Sequence, residues 1–313
     1  MRLAPLLQLL SLVLLIPAAP TKGATAAERK PPLPLAAVAE VIDGDTLRLE
    51  DGREVRLAGV TAPKPPLSLA AGRRWPLADT ARAALAALVD GRAVALRPVT
   101  GTSAPPRPAD GPAVAGDAVA ASLDRHGRVR AHIFRDDGLW VQGELLRQGL
   151  ARVHTTPDDT MLAGAMLARE REARTTKRGV WGDPFYVVRR ADEAGRFVDS
   201  FQLVEGCVLD AVRGKGQVFL NFGPDWRTDF TVRIAGSAAL ARFRVAEDGG
   251  DPLALKGKIV RVRGWLLSRN GPLIDVTHPE QIETIAPCAA PAARSRRGVG
   301  DSPPPPGGTP KRS

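Results

Sequence analysis

The feature that most constrains the fold of this sequence is an alternating pattern between residues 37 and 60. Leu47 and Leu49 alternate with polar residues, Asp51-Gly52 interrupts the pattern, and apolar residues resume at Val55. A period of two puts one face of a strand against a core, and Asp-Gly provides the backbone conformation of a tight hairpin turn. The segment therefore predicts an antiparallel hairpin.

Helical patterns follow the hairpin, with apolar residues spaced three and four apart and glycine or Asp-Gly at the ends. This spacing is typical of amphipathic helices, and glycine commonly terminates them. The predicted helices are residues 77–89, 141–153 and 161–177, with short strands at 93–96 and 129–134. Residues 98–120 consist mostly of Pro, Gly, Ala and Ser, which predicts an inserted surface loop.

A second β pattern extends from Gln202 to about Ile285, with a helix-like segment at residues 238–246. Five strands with a helix between the third and fourth are the element order of an OB barrel. The predicted strands are residues 203–212, 218–222, 230–234, 258–267 and 273–276. The fold class expected is therefore mainly β with α (α+β), with a first domain at 37–182 and an OB-like domain at 199–287.

Both ends of the chain differ from these domains. Arg2, an uncharged apolar run at residues 3–16 and Ala24-Thr25-Ala26 are typical of a signal peptide, which predicts a leader at 1–26 and a periplasmic or secreted protein. The run is shorter than the ~18–20 residues of a spanning helix, so we expect no transmembrane segment in the mature chain. Residues 289–313, rich in Ala, Pro and Arg, are expected to be disordered.

The net charge of +10 is concentrated at these ends. The tail carries a net +4 and the leader a net +2, which leaves +4 for both predicted domains. Global basicity is therefore only weak support for a polyanionic partner.

Cys207 and Cys288 are the only cysteines, so only one intramolecular pairing exists. An oxidising compartment favours a disulfide between them, and the chain-entropy model assigns a loop of this length ~4 kcal/mol. Two separate thiols are the alternative.

Asp45, Arg56 and Arg128 are candidates for binding a phosphodiester. Each guanidinium can donate two hydrogen bonds to phosphate oxygens, and a carboxylate after the Asp43-Gly44 turn can hold a hard cation. Each residue alone is ordinary, since Asp-Gly-Asp is usually only a turn and an arginine on a strand is usually solvated. Their order along the chain is what makes them informative.

Four motifs follow one another between Ala37 and Gly182: Val41-Ile-Asp-Gly-Asp-Thr46, Val55-Arg-Leu-Ala-Gly-Val60, Asp124-Arg-His-Gly-Arg128 and Leu146-Arg-Gln-Gly-Leu-Ala151. Together they resemble the staphylococcal nuclease (thermonuclease) family. The resemblance implies a five-stranded OB barrel with three helices, and calcium-dependent cleavage of DNA and RNA. It places Asp45 at a calcium-ligand position, and Arg56 and Arg128 at the two phosphate-binding, transition-state-stabilising positions.

The site is atypical at two positions. Thr61 stands where the family has a second calcium-binding aspartate, and Lys64 stands where it has the glutamate that activates water. Losing one carboxylate ligand weakens calcium binding, and losing a general base typically costs ~10²–10⁴ in rate. Lys64 either acts as an unusual base or, as we favour, holds phosphate without metal.

The second domain carries Val260-Arg261-Val262-Arg263, an alternation that puts both arginines on one face with Trp265. A basic groove with stacking aromatic rings would bind single-stranded nucleic acid. We favour the alternative in which the arginines face water and the aromatics fill the barrel. The four histidines show no metal-ligand spacing, and His126 is expected to be a surface loop residue.

These observations predict an exported thermonuclease-family protein that acts on nucleic acid, DNA or RNA. Endonuclease-type phosphodiester hydrolysis with weakened calcium binding is one alternative, with Arg56, Arg128 and Lys64 as the catalytic groups. A catalytically silent nucleic-acid-binding protein or a cell-envelope interaction protein is the other. The sequence does not determine the oligomeric state.

Overall fold

The computed structural model describes residues 34–65, 75–99, 122–246 and 250–289. The predicted leader lies outside these residues, as do nearly all of the predicted insertion and nearly all of the predicted disordered tail. All of the described residues belong to one compact unit.

The first sheet is a closed barrel with the strand order β1-β2-β3-β6-β5. Its strands are β1 (Leu35–Asp43), β2 (Thr46–Leu49), β3 (Glu54–Leu57), β5 (Ala93–Pro98) and β6 (Val129–Arg135). Strand β1 pairs with both β2 and β5, which closes the barrel, while β3 and β6 are parallel. A separate two-stranded sheet joins β4 (Val60–Thr61) to β7 (Arg152–Val153).

The predicted hairpin is confirmed as β2 and β3, paired antiparallel with Thr46 opposite Arg56. Leu47, Leu49 and Val55 are buried in the barrel core, as the alternation requires. Gly52 has a φ of 85°, the left-handed conformation that a tight turn needs and that glycine adopts without steric cost.

Three helices pack against this barrel: α1 (Ala78–Val89), α2 (Val141–Arg147) and α3 (Ala163–Thr175). The prediction that the second helix continues to Val153 is wrong. Gly149 has a φ of 70°, and a Cβ on it would lie 2.2 Å from the carbonyl oxygen of Arg178. The chain therefore turns at this glycine and enters strand β7 instead of continuing as a helix.

The second sheet has the order β10-β11-β12-β14-β13-β9-β8, with β15 also paired to β13. Its strands are β8 (Arg189–Arg190), β9 (Ser200–Cys207), β10 (Asp210–Gly214), β11 (Gln217–Asn221), β12 (Thr231–Ala235), β13 (Lys258–Ser268), β14 (Pro272–Val276) and β15 (Ile282–Pro287). Helix α4 (Ser237–Val245) lies between β12 and β13 in the chain.

The strand predicted at 203–212 is two strands. Val208 donates to the carbonyl of Lys258, the first residue of β13, whereas Leu209 donates to the carbonyl of Asn221 at the end of β11. Because β9 and β10 pair far apart in the strand order, the sheet curls into a half-barrel around its own core. The fold is mainly β with a few helices, as predicted.

Two further features hold the second sheet in place. Cys207, at the end of β9, forms a disulfide with Cys288, and their Cα atoms are 5.7 Å apart. A third apolar cluster packs Ala173 of helix α3 and the nearby Trp181 against Phe201 and Leu203 of β9. No helix among the described residues is long and apolar enough to cross a bilayer.

Candidate functional site

The candidate site is built on the turn between β1 and β2. A Cβ on Gly44 would lie 2.7 Å from the Cβ of Ala62 and 2.8 Å from that of Ala81, so this close approach requires glycine. Asp43 accepts a hydrogen bond from the backbone N–H of Asp45 at 2.9 Å. The turn thereby fixes the direction of the Asp45 side chain.

The Asp45 carboxylate is fully buried, and both of its oxygens have partners. Oδ2 accepts from the backbone N–H of Ala62 at 2.7 Å. Oδ1 accepts from Lys64 Nζ at 2.5 Å and forms an ion pair with Arg56. Burial alone would raise the pKa of Asp45, but the charges of Arg56 and Lys64 hold it well below its usual range.

Arg56 lies on β3, opposite Thr46 of β2. Besides the ion pair with Asp45, its Nη1 donates to the Asp45 carbonyl at 3.1 Å and its Nη2 donates to the Val60 carbonyl at 3.2 Å. Its side chain is 16% exposed. These contacts fix the guanidinium plane, and a small part of the side chain remains exposed to solvent.

Lys64 lies between two carboxylates, with Nζ 2.5 Å from Asp45 and 3.3 Å from Asp43. Burial and the negative charge of Asp45 raise the pKa of Asp43, although Lys64 opposes this shift. The Lys64 side chain is 34% exposed. Asp43, Asp45, Arg56 and Lys64 together form a charge-compensated group, which we call the Asp45 cluster.

Arg128 occupies a neighbouring position but has its own partner. It immediately precedes β6, which is parallel to β3 and places Arg130 beside Arg56. Its Nε and Nη2 both lie 2.8 Å from Asp124 Oδ2, and Asp124 also accepts from the backbone N–H groups of Arg128 and His126. Among the contacts between described residues, none joins Arg128 to the Asp45 cluster.

Thr61, at the position of the second expected aspartate, lies on β4 opposite Arg152 of β7. Within the described part of the chain, its side chain forms no hydrogen bond with Asp45. The structure thus brings Asp45, Arg56 and Lys64 together and leaves Thr61 and Arg128 outside their direct contacts.

His154 belongs to this region, and sequence spacing did not predict it. Its backbone N–H donates to the Gly59 carbonyl at 2.8 Å, and its ring centroid lies 4.8 Å from that of Phe201. His154 is exposed to solvent, but desolvation by the surrounding protein atoms and the charge of Arg56 lower its pKa to about 4. His154 is therefore neutral near pH 7 and links the site to the second sheet.

The prediction that Arg261 and Arg263 face water is wrong. Arg263 is almost fully buried, and its Nη1 lies 2.9 and 3.0 Å from the two carboxylate oxygens of Glu170 on α3. Its Nη2 donates to Glu283 at 2.5 Å, and Arg261 pairs with Glu205 at the same distance. The alternation did put both arginines on one face, but that face packs against the first domain, and only Trp265 at its end is exposed.

The family model described as staphylococcal nuclease homologue matches residues 54–183. This match covers less than half of the chain, and it spans part of the closed barrel together with the three helices α1, α2 and α3. It includes Arg56, Lys64 and Arg128, and it begins after Asp45. Domains of this family bind nucleic acid, and the match indicates a nuclease-family function. No curated protein matches the chain.

Proposed function

We propose that the first domain binds a phosphodiester group of nucleic acid, DNA or RNA, without a metal ion and without hydrolysing it. The observation that carries this proposal is the position of Lys64, whose ammonium contacts the buried Asp45 carboxylate at 2.5 Å. An internal cation thus occupies the position next to Asp45 where a metal ion would bind.

The residues around Asp45 do not fit calcium. Calcium takes six to eight oxygen ligands, and its affinity rises with the number of carboxylates. Both oxygens of Asp45 already accept from Ala62, Lys64 or Arg56, and Asp43 accepts from Asp45 and Lys64. A calcium ion would have to displace Lys64 and would find a threonine at position 61.

Lys64, which stands where the family has its general base, does not supply one. A general base must hold an unprotonated lone pair within hydrogen-bond reach of the attacking water. The Lys64 ammonium donates to two carboxylates and has no lone pair in its charged form. We therefore place Lys64 among the groups that hold phosphate, not among those that activate water.

Donors remain for a phosphate group. A guanidinium has five N–H donors, and neither Nε of Arg56 nor Nη1 of Arg128 has a partner among the described residues. A phosphate that approached these side chains would also meet Lys64. Together they would supply three cations for one anionic group, which favours binding in a partly desolvated site.

We also propose that the protein acts in the periplasm or outside the cell. The predicted leader supports this location, as does the Cys207–Cys288 disulfide, because disulfides persist in oxidising compartments.

The test combines binding and cleavage. Fluorescent single-stranded DNA and RNA oligonucleotides are titrated with the protein in EDTA, calcium or magnesium, and the same mixtures are analysed for cleavage. We expect equal binding with and without metal, and no cleavage. Arg56→Ala should weaken binding about 10- to 100-fold, the equivalent of a charge-assisted hydrogen bond worth ~1.5–3 kcal/mol.

Two variants control this test. Arg56→Lys keeps the charge but loses the two-pronged contact, so it should restore only part of the affinity. Arg48→Ala removes an exposed arginine on the neighbouring strand β2 and should change affinity little. Cleavage that requires a metal ion and disappears in Arg56→Ala would replace this proposal with a working nuclease. Absence of binding to either nucleic acid would favour a cell-envelope interaction protein.

A further inference from the structure

The second sheet carries a pocket on its outer face, away from the Asp45 cluster. Its volume is about 370 Å³, within the range of about 300–1,000 Å³ typical of small-molecule sites. Phe219 and Asn221 on β11 form its floor, because they alternate with Val218 and Leu220, which are buried in the core. The floor therefore belongs to the surface of the sheet and not to its interior.

Trp226 forms one wall of this pocket. It lies in the loop between β11 and β12 and is 49% exposed, which is unusual for so large an apolar side chain. Asp229 accepts from the backbone N–H of Asp225 at 2.9 Å, and Asp225 accepts from that of Arg227 at 3.0 Å. The loop is thus braced by its own acidic side chains and presents Trp226 in a fixed place.

The opposite wall is the turn between β13 and β14, which includes Arg269 and Asn270. A Cβ on Gly271, whose φ is 85°, would lie 2.8 Å from the backbone of Thr228. The two loops therefore pack against each other, and the pocket between them is preformed. Preformed walls lower the entropy cost of holding a ligand.

The polar groups of the pocket have a definite chemical character. Asn221 and Asn270 carry amides that both donate and accept hydrogen bonds, and Thr231 adds a hydroxyl. The guanidinium of Arg227 lies 4.7 Å from the Trp226 ring. Neither Arg227 nor Arg269 forms a side-chain ion pair with any described residue. By contrast, most arginines on the strands of this sheet form ion pairs with carboxylates, as Arg213 and Arg233 do with aspartates.

We propose that this pocket is a second nucleic-acid site, which takes one base of a single strand against Trp226 and Phe219 and the adjoining phosphate on Arg227 and Arg269. Aromatic rings stack on any base, the amides can bond base edges, and unpaired arginines match the charge of the backbone. The inference rests on the proposed function for its ligand class, but it concerns different residues.

Charge favours nucleic acid over a peptide as the occupant. An apolar or proline-rich peptide would fill the aromatic floor but would leave Arg227 and Arg269 without an anionic partner. Asp225 and Asp229 remain anionic, but their carboxylates accept hydrogen bonds within their own loop, and among the described residues neither forms an ion pair with Arg227 or Arg269. A single strand satisfies both the rings and the cations.

The experiment uses the purified full chain and fluorescent 15-nucleotide dT and rU oligonucleotides. Trp226→Ala should weaken binding about 5- to 100-fold, the loss expected for one base stacked on an aromatic ring. Trp226→Phe keeps a ring and should retain most of the affinity. Trp265→Ala removes another tryptophan of similar exposure at a different place and should have little effect.

Combining these variants with Arg56→Ala separates the two proposals. If Trp226→Ala weakens binding and Arg56→Ala does not, the pocket stands and the proposed site on the first domain fails. If only Arg56→Ala weakens binding, the pocket inference is overturned and the proposed function stands. We expect that a synthetic peptide of residues 299–313 will not displace the oligonucleotide. Binding of that peptide, lost in Trp226→Ala and with no oligonucleotide binding at the pocket, would also overturn the inference.

Discussion

Two fully buried carboxylates, Asp45 and Glu170, have partners of the same kinds but do different things: Asp45 lies at the candidate site, whereas Glu170 lies where helix α3 meets the second sheet. Asp45 accepts from the backbone N–H of Ala62 and pairs with Arg56 and Lys64. Glu170 accepts from the backbone N–H of Val153 at 2.6 Å and pairs with Arg174 and Arg263. Both groups therefore satisfy the requirement that a buried charge be paired and hydrogen-bonded.

The two groups differ in the solvent exposure of their cations. The Lys64 side chain is 34% exposed, whereas that of Arg263 is 2% exposed because the first domain covers it. An exposed cation can exchange its carboxylate partner for a phosphate group, but a buried cation cannot do so without separating the two domains. Solvent access of the cation, not the identity of the ion pair, thus distinguishes a candidate binding site from a structural contact.

The largest effect that tests this comparison is expected from Glu170→Ala. The substitution leaves Arg263 buried without one of its carboxylates, and breaking a buried pair in this way typically costs ~3–5 kcal/mol. We expect the free energy of unfolding in urea to fall by this amount. Glu172→Ala removes an exposed glutamate of the same helix and should cost less than ~1 kcal/mol. Equal effects of the two substitutions would show that the Glu170 contact is not structural.

Much of each region could be predicted from the sequence because the patterns that specify it are local. The alternation of Leu47, Leu49 and Val55 fixes which face of a strand is buried, and this prediction needs no information about distant residues. The same reasoning correctly placed Arg261 and Arg263 on one face. It gave the wrong surroundings for that face, because Glu170 lies 93 residues away from Arg263 in the chain.

The candidate site shows the same limit. Motif order brought Asp45, Arg56 and Lys64 into consideration, but only the folded chain shows that Lys64 contacts Asp45. The prediction that the second helix continues to Val153 was wrong for a related reason. The need for glycine at position 149 comes from the carbonyl of Arg178, a contact between distant segments that no local propensity encodes.

A smaller effect is expected from His278, which is buried and hydrogen-bonded to Thr155 at 2.8 Å. Burial lowers its pKa to about 4, with a further contribution from the charge of Arg242. The unfolded state, with a pKa near ~6.5, binds the proton more readily, so stability is lost as pH falls from about 6.5 to about 4. The loss attributable to His278 is at most ~3 kcal/mol.

The measurement for His278 is the free energy of unfolding between about pH 4 and pH 7.5. His278→Gln should flatten this pH dependence, whereas His126→Gln, in an exposed loop, should leave it unchanged. An unchanged slope in His278→Gln would contradict the assignment. Such a result would mean that His154 or the carboxylates, and not His278, cause the pH dependence of the stability.

The smallest effect, from added salt, separates the two carboxylates most directly. Salt screens exposed charges strongly and buried pairs weakly. Each phosphate that a protein neutralises on a single strand adds about −0.7 to the slope of log affinity against log salt. If one phosphate contacts the Asp45 cluster with Arg128 and a second contacts Arg227 and Arg269, raising salt from about 50 to about 300 mM should weaken oligonucleotide binding about tenfold. The same change should leave the urea midpoint nearly constant, because the Glu170 pair is shielded from solvent. A midpoint that falls together with the affinity would mean that both carboxylates depend on exposed cations, and the distinction between the two regions would be lost.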